Sequence, residues 1–129
     1  MDNYKVVLVD DEVEVIDAIE QRIHWDILGF EVVGSATNGV KALELVEKQQ
    51  PDVVITDIKM PYMDGLELAR RLNKEYQNIH IIIFTGFDEF EYAKEAVHLE
   101  IKEYMLKPIN AVELSECLTR LKDTLDKER

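Results

Sequence analysis

Residues Pro51–Gly65 read PDVVITDIKMPYMDG, and their order decides the fold. The run Val53-Val54-Ile55 is apolar, β-branched and does not alternate. That is the pattern of a strand buried on both faces of a parallel sheet. The run ends in Thr56 and Asp57, then breaks at Met60-Pro61 and again at the Asp64-Gly65 turn. A carboxylate is a poor choice for packing there, because burying an unpaired charge is costly. It is a good choice for chemistry, since open α/β sheets bind ligands outside the carboxyl ends of their strands. A lone Asp would merely solvate a strand end, so the meaning of Asp57 depends on the other strands.

Outward from this stretch the chain alternates between the two periodicities. Lys5–Val9 (KVVLV) predicts a buried strand, and Val13, Ile16, Ile19 and Ile23 follow at roughly helical spacing. A short loop through His24-Trp25-Asp26 to Gly29 closes that helix. Phe30–Ala36 predicts a second strand, and Thr37-Asn38-Gly39 turns it into a helix through Gln49. The third strand is Pro51–Asp57, after which Asp64 caps a helix to about Tyr76. Ile79–Phe84 predicts the fourth strand, ending in Thr85-Gly86, and a helix from about Asp88 to Leu99 follows. The fifth strand is Ile101–Leu106, ending in Lys107-Pro108. A last helix from near Asn110 buries Leu114, Cys117, Leu118, Leu121 and Leu125, one apolar stripe. Five βα units imply an α/β fold, a doubly wound five-stranded parallel sheet with right-handed crossovers. The flavodoxin-like order 2-1-3-4-5 makes the first and third strands neighbours at the topological switch point.

The residues that end the strands then share one edge: Asp10 and Asp11, Asp57, Thr85 and Lys107. Three carboxylates crowded together repel one another unless a cation sits among them. Oxygen ligands in a small, partly solvated cluster suit Mg²⁺, with Mn²⁺ as a substitute. Lys107 adds a compact positive charge and Thr85 a hydroxyl. That inventory matches phosphoryl transfer, where catalysis is mostly positioning and charge neutralisation. Each element has a plainer reading in isolation. Asp11 with Glu14 would make an N-terminal capping box, Thr85 a helix cap and Lys107 a solvated strand end. Lys107-Pro108 would be an ordinary trans bond. All of these would have to hold at one sheet edge.

Composition excludes several alternatives. The 129 residues make one domain, with 47% apolar and 33% charged residues, the balance of a soluble globular protein. No apolar run approaches the ~20 residues of a membrane span. The N-terminal residues enter a strand with no basic, cleavable leader. Cys117 is the only cysteine, which leaves no disulfide framework and fits the cytoplasm. A net charge of −12 argues against this chain holding a nucleic-acid backbone by itself.

The DDE after the first strand, the D-I-K-M-P-x-M-D-G block, the Thr85-Gly86 step and Tyr104-x-x-Lys107-Pro108 resemble a response-regulator receiver domain of bacterial two-component signalling. The resemblance covers nearly the whole chain. It implies that Asp57 accepts a phosphoryl group from the phosphohistidine of a sensor histidine kinase. It implies Mg²⁺ on Asp11 and Asp57, with Asp10 acting through water and the Lys59 carbonyl as a further ligand. Thr85 and Lys107 would hold the phosphoryl oxygens, Tyr104 would be the aromatic switch, and Lys107-Pro108 would be cis. His24-Trp25-Asp26-Ile27-Leu28-Gly29-Phe30 and Gly86-Phe87-Asp88-Glu89-Phe90-Glu91-Tyr92-Ala93 resemble receivers that precede AraC-type DNA-binding domains. On that likeness residues 1–129 are the receiver, and 122–129 a helix end or linker toward an output domain. DNA would be reached only through that output domain. A homodimer through the 87–125 face is a further expected partner, and no membrane is expected.

Other classes fit less well. A stand-alone receiver or phosphorelay shuttle would carry the same site, and the gene beyond Arg129 would decide. An aspartate-nucleophile phosphatase needs a second acid for the leaving group, and two residues after Asp57 stands Lys59, a poor acid at neutral pH. A nucleotide or flavin module wants a Gly-rich or hydroxyl-rich phosphate loop after the first strand. Asp10-Asp11-Glu12 stands there instead.

Overall fold

The structure, a computed structural model, describes residues 3–86 and 103–128, with the backbone alone at 103 and 104. Strands β1 (Tyr4–Val9), β2 (Phe30–Ala36), β3 (Val53–Asp57), β4 (His80–Thr85) and β5 (Glu103–Leu106) form one sheet. All neighbours are parallel and the order is β2-β1-β3-β4-β5, the order expected from the sequence. Period-two alternation sends the strand residues into two cores. Val53 and Ile55 of β3 face one core with Val6, Leu8, Ile82 and Phe84. That core is closed by Ile16 and Ile19 of helix α1 (Val13–Arg22) and by helix α5 (Ala111–Glu128). Val54 faces the opposite core with Val7, Val9, Ile81 and Ile83, under helices α3 (Gly39–Gln49) and α4 (Gly65–Glu75). Both faces of the sheet are therefore dry, which is why its strands read as unbroken apolar runs.

The caps explain where the helices start. Asn38 Oδ1 accepts the Lys41 amide at 2.9 Å, and Asp64 Oδ1 accepts the Glu67 amide at 2.8 Å, each satisfying an orphan donor. The stripe of α5 is as read, with Leu114, Cys117, Leu118, Leu121 and Leu125 all buried. Three local expectations are corrected. Val13 does not join the buried stripe of α1: it is the first helical residue, at the edge of the sheet, and is exposed. Ile23 is buried but has left the helix, with extended backbone. The loop from His24 to Gly29 contains a one-turn helix, α2 (Trp25–Leu28), held where the Trp25 indole donates to the Glu20 carbonyl and closed by Gly29 at φ +91°. Phe87 to Lys102, with the helix expected from about 88 to 99 and the start of the fifth strand, lie outside the described residues.

Candidate phosphoryl-acceptor site

Register alone brings the candidate residues together. Val9 of β1 pairs with Thr56 of β3, so Asp10 and Asp57 follow side by side. Asp57 pairs in turn with Phe84 of β4, and Thr85 with Leu106 of β5, which puts Lys107 one step beyond. Four strands thus deliver Asp10, Asp57, Thr85 and Lys107 to one edge. Lys107-Pro108 is cis, and the Lys107 amide donates to the Thr85 carbonyl at 2.8 Å.

The Lys107 ammonium lies 3.2 Å from Asp10 Oδ2 and 3.3 Å from Asp57 Oδ2, bridging the two carboxylates. Both acids are buried, at 3% and 6% exposure. Their remaining oxygens are held by the chain: Asp57 Oδ1 accepts the Ile58 amide at 2.8 Å, and Asp10 Oδ1 accepts the Glu12 amide at 2.9 Å. Those bonds fix the carboxylate planes. They do not balance the charge, because one ammonium faces two acids. Burial, with the neighbouring Asp10 charge, pushes the Asp57 carboxyl up from 3.8 to about 6, against the pull of Lys107 and the Ile58 amide. Burial likewise raises Asp10 above the usual carboxylate range. Burial works against the charged form of Lys107, but Asp57 and Asp10 outweigh it and hold its ammonium above the ordinary lysine value.

The structure places the other expected residues less tightly. Asp11 is exposed, and its carboxylate lies within 4.8 Å of those of Asp10 and Glu12. The capping box between Asp11 and Glu14 does not form: Glu12 is the N-cap residue of α1, with no side-chain cap bond, and Asp10 takes its amide. Lys59 is exposed in the loop after Asp57. Thr85 is fully buried, and its hydroxyl donates to the Gly86 carbonyl at 3.1 Å. Tyr104 pairs with Ile83 through its backbone, and its side chain lies outside the described atoms.

Two residues that matter were not singled out from the sequence. Glu12 completes the acidic trio, and the DDE triplet was its signal. Gly65 closes the loop after Asp57: its amide donates to the Ile58 carbonyl at 2.6 Å, and a β-carbon there would lie 2.1 Å from the Asp57 carbonyl oxygen. Only a glycine lets α4 start so close to the strand end. Its signal was the Asp64-Gly65 dipeptide.

The donor set fits a hard divalent cation. Every candidate ligand atom is an oxygen, two of the acids are buried with incompletely neutralised charge, and a third stands at the solvent edge. With the fold and this edge defined, residues 6–119 match the family model described as response regulator receiver domain. The chain belongs to the response-regulator receiver domain family. This receiver domain is 42% identical over 118 residues to the uncharacterised transcriptional regulatory protein YesN of Bacillus subtilis, covering 92% of the chain and 32% of YesN. It is 36% identical over 122 residues to the transcriptional regulatory protein HptR of Staphylococcus aureus, covering 95% of the chain and 48% of HptR. The chain thus spans less than half the length of these curated relatives.

Solved structures agree. The receiver domain of AraT, a response regulator from Geobacillus stearothermophilus, matches with a TM-score of 0.93 at 39% identity, over 97% of each chain. A two-component transcriptional regulator AraC from Clostridium phytofermentans matches with a TM-score of 0.89 at 31% identity, again over 97% of each chain. These matches support the finer likeness to receivers that precede AraC-type domains. A receiver domain of two-component systems is a signalling domain rather than an enzyme in the ordinary sense. Among the described residues no helix is long and apolar enough to cross a membrane.

Proposed function

We propose that this receiver domain takes a phosphoryl group onto Asp57 from the phosphohistidine of a sensor histidine kinase and relays that state to a transcriptional output domain. The observation that carries the reading is the Lys107 ammonium bridging buried Asp10 and Asp57 at the carboxyl edge of the sheet. A buried acid pair that is only half neutralised is poised to take up a further cation, and then an anion. Asp10, Asp11 and Asp57, with the Lys59 carbonyl, would hold Mg²⁺ (or Mn²⁺). When bound, the ion neutralises charge on the incoming phosphoryl oxygens.

The remaining steps belong to the chain. Asp57 must be ionised to attack, and the Ile58 amide orients its Oδ1. A carboxylate oxygen forms a bond to phosphorus as the bond from phosphorus to the donor imidazole nitrogen breaks. The bonding pair leaves with the imidazole, so no proton need come from Asp57. Lys107 exchanges its carboxylate partners for a phosphoryl oxygen, a charge-assisted contact of the same kind. The Thr85 hydroxyl turns from the Gly86 carbonyl to another phosphoryl oxygen, and Tyr104 reports the move along β5. The added phosphate brings roughly −1.5 to −2 of charge, which biases a two-state surface between residues 87 and 125. Homodimerisation through that face, DNA contact through an output domain, and cytoplasmic location complete the reading.

Intact-mass measurement after treatment with acetyl phosphate tests it. One phosphoryl group is expected with Mg²⁺ present and none after chelation, and Asp57→Asn is expected to remain unlabelled while folded. Labelling of the Asp57→Asn chain at the wild-type level would overturn the assignment.

A further inference from the structure

The opposite, amino edge of the sheet carries a second set of polar contacts, and all of them converge on the end of α5. The Tyr4 hydroxyl, at the start of β1, donates to Asp126 Oδ1 at 2.5 Å. His80 Nε2, at the start of β4, lies 3.0 Å from Glu128 Oε1. Lys122 Nζ donates to Asp126 Oδ2 at 2.9 Å, and the stem of Lys122 lies over Gly29, where a β-carbon would come within 2.5 Å of Lys122 Cε. Tyr4 and His80 are themselves buried and pinned. The Tyr4 amide donates to the Gly29 carbonyl at 3.0 Å, and the His80 amide to the Asp52 carbonyl at 2.9 Å.

The sequence of this helix end gives it little reason to stay ordered. Residues 122–128 read KDTLDKE, with Leu125 as the one apolar anchor. The last carbonyls of a helix have no partner within it, and acidic side chains near a C-terminus oppose the helix dipole. Asp126 and Glu128 are therefore adverse choices for the helix by itself. They become favourable when a buried hydroxyl and a buried imidazole need partners.

We propose that Tyr4, Gly29 and His80 form a clasp that holds residues 122–128 as rigid helix against the amino edge of the sheet, and whose opening lets these turns fray while sheet and acceptor site stay folded. The clasp grips the two strands that reach the site at their other ends, β1 before Asp10 and β4 through Thr85. It fixes the direction in which α5 leaves the domain. The inference goes beyond the acceptor reading and stands whether or not Asp57 is the residue modified.

The test separates the clasp from the helix. Asp126→Ala with Glu128→Ala removes two acids from a helix C-terminus and adds two good helix formers, so helix propensity alone predicts slower amide exchange at residues 124–128. The clasp predicts the opposite: about tenfold faster exchange there for two lost polar contacts, with β1, β4 and Mg²⁺-dependent labelling at Asp57 unchanged. Tyr4→Phe with His80→Gln, read by the same exchange measurement, should speed the same amides from the sheet side. Unchanged or slower exchange at 124–128 in the double alanine chain overturns the proposal. So does faster exchange spread evenly over β1 and β4.

Discussion

The two edges of one sheet treat buried polar groups in opposite ways. At the carboxyl edge, Asp10, Asp57 and Lys107 place two acids against one ammonium, and Asp57 sits near 6 because burial outweighs its partners. At the amino edge, Tyr4 and His80 are buried too, but each meets an acid on a half-exposed helix end. The first arrangement costs stability and the second contributes to it. The difference marks where the fold serves chemistry and where it serves itself.

The severest way to break the carboxyl edge is steric. Gly65→Ala forces a β-carbon onto the Asp57 carbonyl, which is backbone and cannot swing aside. A loss of about 2–3 kcal/mol is expected in urea unfolding, together with impaired Mg²⁺-dependent labelling because the loop after Asp57 must move.

Removing the charge should have the opposite sign. A carboxyl held near 6 in the folded chain and at 3.8 in the unfolded one binds its proton more tightly when folded. Between those two values the folded state carries the extra proton, so stability falls as pH rises from about 4 through about 6 and stays lower above. The effect of this one group is on the order of 2–3 kcal/mol at most, since Lys107 shares the proton balance. Asp57→Asn is therefore expected to be more stable than wild type at pH 7 in EDTA, and the gap should close toward pH 4. A gap of constant size across that range would show that Asp57 is not the group responsible. Millimolar Mg²⁺ should narrow the gap at pH 7 by stabilising wild type alone, because ligand binding to the native state adds to stability.

The amino edge should respond least. Tyr4→Phe keeps the ring against Phe30, whose centroid lies 5.9 Å away, and loses only the hydroxyl bond to Asp126. A cost of about 1 kcal/mol is expected, read as a lower urea midpoint with an unchanged slope and no change in labelling.

Sequence by itself determined the sheet and most of its acceptor edge. Val53-Val54-Ile55 and its sister runs are apolar on both faces, which forces a parallel sheet covered on two sides, and a carboxylate at the end of such a run has few uses other than chemistry. The α5 stripe and the Asn38 and Asp64 caps are likewise local patterns, and local patterns survive folding. The tertiary structure decided what depends on distance between segments remote in sequence. Asp10 and Asp57 are far apart in the chain, and only the β1–β3 register sets both acids on one ammonium. Gly65 is an ordinary turn residue until the Asp57 carbonyl is found where its β-carbon would be. Asp126 and Glu128 read as solvated charges, because nothing in a stretch such as KDTLDKE reveals that a tyrosine and a histidine from the far edge of the sheet lie within reach.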